Sequence, residues 1–146
     1  MRRDFEVTDT GLQTSVRVSH YHFQGWEDWQ LPTGKSRSQL VTLVDSAADF
    51  VTANYAKAVG DAGRQRLLVH CRAGIGRTGT TLSLVNSTIA IKQQLQAGIA
   101  DPKLSVFSIV RRLREQRIWM VQTEDQYEYI FEYLRTSKWA KNSSSK

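Results

Sequence analysis

Apolar and polar residues alternate along Val16–Phe23, a period of two that predicts a strand. A tryptophan-rich stretch from Gln24 to Pro32 interrupts the pattern. Leu40, Leu43, Val44, Ala47, Phe50, Val51, Asn54 and Tyr55 then recur at helical spacing and predict a helix over 36–59. Gly60–Arg66 reads as a turn, and Leu67–His70 as a short apolar strand of the kind found mid-sheet with both faces covered. A second helical pattern runs from Thr80 to Gln96, where Gly98 ends it, and Asp101-Pro102 marks a loop. Val106, Ile109, Val110 and Leu113 predict a third helix, with Arg111, Arg112, Arg114 and Arg117 mainly on its other side. Thr123 and Gln126 make a capping box for a last helix lined by Tyr127, Ile130, Phe131 and Leu134.

The order is strand, helix, strand, then three helices. It predicts an α/β fold, a central sheet with parallel strands flanked by helices, in one domain over 1–140 with a polar, disordered tail at Lys141–Lys146. A chain of 146 residues is long enough to bury a core without disulfides or metals. Its single cysteine excludes an internal disulfide and points to a reducing compartment, with the cytoplasm as the expectation. Met1-Arg2-Arg3 runs into Asp4 and Glu6 with no apolar stretch, unlike a secretory leader, and no apolar run approaches a membrane span. A net charge of +6 favours anionic partners, but no nucleic-acid-binding module is recognisable.

The chemistry concentrates after Leu67-Leu68-Val69. Cys71 and Arg77 enclose Arg72-Ala73-Gly74-Ile75-Gly76, and Thr78-Gly79 leads into the helix. A short glycine-rich loop between strand and helix aims backbone N–H groups at one point and forms an anion site of phosphate size. The same dipoles favour a Cys71 thiolate, which makes it a nucleophile. Arg77 supplies a planar clamp for phosphate oxygens. A buried packing cysteine would leave both the glycines and Arg77 unexplained.

This segment resembles the signature loop of the protein tyrosine phosphatase superfamily: His-Cys, five residues, Arg, then Ser or Thr and Gly. Ala73-Gly74-Ile75-Gly76-Arg77-Thr78-Gly79 is similar to the version in the tyrosine-specific branch. The resemblance implies hydrolysis of phosphotyrosine in proteins through a phosphocysteine, with Arg72 to Arg77 around the phosphate and no metal or cofactor. No cluster of His, Cys and carboxylates has metal-ligand spacing. A leaving oxygen needs a proton, and Trp26-Glu27-Asp28 resembles the family's Trp-Pro-Asp loop, which makes Asp28 the expected acid. Glu27 stands where the family has proline, so the fixed φ of proline is lost.

Trp119–Tyr127 resembles the glutamine loop of the same branch. It implies that Gln122 holds the hydrolytic water; Gln126 matches a second glutamine but is better explained by the capping box. For Thr78, donation to the Cys71 sulfur and a helix N-cap are equally open. His70 is expected to support the loop, Arg114 and Arg117 to pair structurally behind the site, and Arg72 to face solvent, the alternative being a preference for very anionic substrates.

The likeness covers roughly 16–135, strongest at 21–32, 67–80 and 113–131, and corresponds to the carboxyl-terminal half of a tyrosine-specific phosphatase domain. The half with the aromatic residue that stacks on phosphotyrosine has no counterpart here, and Trp29 is a candidate replacement. Two other readings stand beside the first: a dual-specificity or phosphoinositide phosphatase, and a phosphate-binding module without turnover.

Overall fold

The computed structural model describes residues 1–57 and 66–137. Two strands, β1 (Arg2–Asp9) and β2 (Thr14–Tyr21), precede four helices, α1 (Gly34–Lys57), α2 (Gly76–Gln96), α3 (Val106–Gln116) and α4 (Glu124–Thr136). The expected turn at 60–66 falls almost wholly outside the described residues, as do the end of the first predicted helix and the tail.

The four helices form where the 3.6-residue period predicts them. Leu40, Val44 and Ala48 give α1 one buried stripe. It packs on α2, whose Thr80, Ser83, Leu84, Val85, Ser87 and Thr88 are all buried. A helix enclosed on most sides must satisfy its hydroxyls: Thr80 Oγ1 donates to the Gly76 carbonyl and Ser83 Oγ to that of Gly79, while Thr88 shares a hydrogen bond with the Tyr133 hydroxyl. Val106 and Val110 of α3 and Tyr129, Ile130 and Tyr133 of α4 close the core around α2. No described helix is long and apolar enough to cross a membrane.

The sheet departs from expectation. β1 and β2 pair antiparallel, with Phe5 opposite Val18 and Val7 opposite Val16, and among the described residues this is the only sheet. Leu67–His70 forms no strand, and Leu68 is 86% exposed. The physical reason is pairing. A strand exists only through the ladder it shares with a neighbour, and none lies beside this run. The expected parallel central sheet is therefore not seen, and helix-on-helix packing carries the core. The strand predicted at Val16–Phe23 is shifted by two residues, because pairing with β1 sets its limits.

Candidate active site

Gly76 opens α2, and the loop before it is shaped by glycine. Gly74 sits at φ 71°, a left-handed conformation that costs glycine little. A Cβ on Gly79 would run into the backbone nitrogen of Val121, so only glycine lets the Met120–Val121 segment lie against the helix start. A Cβ on Gly76 would lie 3.0 Å from Gln122 Oε1 and 3.1 Å from the Gln126 amide. The Ile75 carbonyl accepts from Gly79 N–H at 2.8 Å and from Val121 N–H at 3.3 Å, which ties loop, helix and glutamine segment together.

Cys71 is half-buried, and Gly74 N–H donates to its sulfur at 3.2 Å. Burial pushes its thiol up. The Thr78 hydroxyl and the backbone N–H groups of Thr78, Gly74 and Ile75 outweigh that and bring it down to about 7 from an ordinary 9.0. The N-cap of α2 is Ile75, so Thr78 lies inside the first turn and the capping alternative for it is excluded. Its buried hydroxyl has no other hydrogen-bond partner, which leaves it to the sulfur.

Arg77 gathers the upstream loop. Its Nη1 donates to the Trp26 carbonyl at 2.8 Å, and its Nη2 is 3.0 Å from Asp28 Oδ1. Its Nε is buried without a partner. The loop is anchored by Trp26, 5% exposed, whose indole donates to the Gln30 carbonyl at 2.6 Å and packs edge-on against Tyr129. Gly25 is required beside it, because a Cβ there would run into Ser36 Oγ. Asp28 itself is part exposed, and Trp29 after it sits at φ 62°.

On the downstream side, Trp119 and Val121 also have positive φ, 67° and 60°. A β-branched residue in that region is strained, and the hold on it is visible. Arg114 Nε donates to the Met120 carbonyl and its Nη2 to that of Val121, both at 2.9 Å. Arg117 Nη2 donates to the Ala73 carbonyl at 3.1 Å. Gln126, 1% exposed, accepts from Gln122 N–H at 3.0 Å. That use of its side chain undoes half of the expected capping box: Thr123 Oγ1 does accept from Gln126 N–H, but the return bond goes to Gln122, one residue earlier than the cap.

The structure thus brings Cys71, Arg77, Thr78, Asp28 and Gln122 to one loop. Arg72 and Ala73 are exposed, and Gly74, Ile75 and Gly76 form the backbone around the sulfur. His70 is exposed, its nearest polar neighbour being the Cys71 carbonyl at 3.4 Å. The clamp from Gln126 onto Gln122 was the contact hardest to foresee, since the spacing equally describes a cap. Chemically the site offers a thiolate, a fixed guanidinium, a carboxyl group and an amide around a cradle of N–H groups.

Comparison with known proteins agrees with this geometry. A family model described as protein-tyrosine phosphatase matches residues 1–135. Human receptor-type tyrosine-protein phosphatase alpha is 34% identical over 134 residues, covering 91% of this chain and 14% of its own length. Tyrosine-protein phosphatase 1 of Schizosaccharomyces pombe is 30% identical over 137 residues, with 90% and 22% covered. Among solved structures, PTPN18 in complex with HER2 phosphopeptides aligns at a TM-score of 0.64 and 26% identity over 99% of this chain and 42% of that one. The catalytic domain of human PTPN18 aligns at 0.62 and 28%, over 89% and 40%. The chain spans less than a quarter of the length of these full-length relatives.

Proposed function

The chain belongs to the protein-tyrosine phosphatase family, and on that premise we propose that it hydrolyses phosphotyrosine in proteins through a cysteinyl phosphate on Cys71. One observation carries the reading. The nucleophile and the phosphate clamp share a single loop, and Arg77 of that loop holds Asp28 at 3.0 Å.

The steps follow from these positions. In the unliganded protein the Asp28 carboxylate occupies Arg77. An entering phosphoryl group takes over the guanidinium, with the unpartnered Nε as a further donor, and frees Asp28 to stand by the leaving oxygen. The Cys71 thiolate attacks phosphorus; the S–P bond forms, the P–O bond to the tyrosine breaks, and protonated Asp28 gives its proton to that oxygen. The loop N–H groups and Arg77 stabilise the charge on the equatorial oxygens. Water held by Gln122 then attacks phosphorus, yields its proton to Asp28, and displaces the thiolate with release of inorganic phosphate. The Thr78 hydroxyl, donating to sulfur, makes it a better leaving group.

The chemistry needs Cys71 reduced, which suits the cytoplasm, of the cell that makes the protein or of another. The substrate is a phosphotyrosine protein. Turnover of a small aryl phosphate by the 146-residue chain tests the reading. Release of inorganic phosphate that disappears in Cys71→Ser supports it, and equal turnover by that variant refutes it. Phosphothreonine peptides and inositol lipids, run alongside phosphotyrosine peptides, separate it from the dual-specificity and lipid alternatives.

A further inference from the structure

A groove of about 530 Å³ runs between α3 and the start of α4, a size typical of ligand sites. Val110 and Val121, both buried, form its floor. Phe107 on α3 and Tyr127 on α4 border it, and Arg111 lies along its rim. Phe107 is 65% exposed on a helix whose other apolar residues, Val106, Val110 and Leu113, are buried. Packing of the core does not account for it.

One end of the groove is Gln122, whose Oε1 lies over Gly76 of the phosphate loop. The groove is therefore continuous with the active site. We propose that it seats the stretch of the protein substrate that flanks the phosphotyrosine, with an apolar side chain of that stretch set against Phe107, Tyr127 and the valine floor. This assignment rests on the phosphatase reading and deepens it. The rim fits a peptide better than a bare hydrocarbon: it carries both signs, Arg111 and Arg114 with Glu115 and Glu124, and so offers groups to backbone and polar side chains. Phosphate held by the loop fixes one point of the substrate, and the groove fixes a second, so the two contacts act as one divalent interaction.

The test compares the wild-type chain with Phe107→Ser and Phe107→Leu. Substrates are a small aryl phosphate and phosphotyrosine peptides whose flanks are all serine or carry one leucine at successive offsets. The expectation is that one or two offsets raise wild-type kcat/KM by about tenfold or more, the value of burying part of a leucine. Phe107→Ser abolishes that gain, Phe107→Leu restores most of it, and the aryl phosphate is turned over equally by all three. No leucine preference in the wild type, or the same preference in Phe107→Ser, overturns the assignment. So does a wild-type dimer that Phe107→Ser dissociates, since the groove then belongs to a second copy. Failure of the wild type to hydrolyse the aryl phosphate is a different result and overturns the phosphatase reading beneath it.

Discussion

At Cys71 two opposing influences meet, and their balance sets the chemistry. Burial disfavours the thiolate, while the Thr78 hydroxyl and three N–H groups favour it more, and the thiol falls to about 7. Alkylation by iodoacetamide should therefore rise with pH to half its maximum near 7, and Thr78→Val should move the midpoint upward; a wild-type midpoint close to 9 contradicts the account. The same shift has a stability consequence. A thiol lowered by folding contributes stability that is complete above the ordinary thiol range and is lost as pH falls through about 7, so Cys71→Ser should lose relative stability on going from pH 9 to pH 6 less steeply than wild type does. Asp28 makes a separate prediction. Asp28→Asn should lower kcat for a phosphate ester with a poor leaving group about 10²- to 10⁴-fold, the usual worth of a positioned acid. It should also remove the loss of activity on the alkaline side of the pH–rate profile. A retained alkaline limb assigns the acid elsewhere.

Helix starts and helix ends do most of the positioning. α2 delivers Arg77 and Thr78 from its first turn, and the end of α3 delivers the two arginines that brace the segments on either side of the loop. Gly79 is where α2 and the glutamine segment touch, so Gly79→Ala forces Val121 away. It should cost about 1–3 kcal/mol of stability, the usual effect of overpacking. Among the variants that fold, it should slow hydrolysis of the intermediate more than its formation, read as a larger burst in stopped-flow turnover; an unchanged burst separates Gln122 from that step. The helices were legible in the sequence because their signal is local: Leu40, Val44 and Ala48 repeat on one face whatever lies around them. The signature loop was legible because Cys71, Arg77 and the glycines are adjacent. β1 was not, since Arg2–Asp9 is mostly charged and polar and becomes a strand only by pairing with β2. Leu67–Val69 misled for the converse reason, an apolar run with strand composition and no neighbour to pair with. The hold of Arg77 on Trp26 spans 51 residues and leaves no local trace.

Across the whole molecule, the chemistry and the surface divide. The helical core around α2 carries every proposed catalytic side chain except Asp28, and the Trp26 anchor joins that loop to it. The β1–β2 pair stands apart, with Phe5, Val7, Val16 and Val18 all exposed. A net charge of +6 surrounds the site with positive potential. Raising ionic strength from about 0.01 M to about 0.15 M shortens screening from about 30 Å to about 8 Å. KM for an acidic phosphopeptide should then rise severalfold, and by more than KM for a small aryl phosphate; equal changes would show that only the loop attracts the substrate. The central claim is that phosphate passes through Cys71, and trapping that species tests it most directly. Gln122→Ala, mixed with an aryl phosphate and quenched in acid within the first turnovers, should carry one phosphoryl group, mapped by peptide mass to Cys71. A phosphoryl group on any other residue, or product formed with no phosphoenzyme at any time point, contradicts the account.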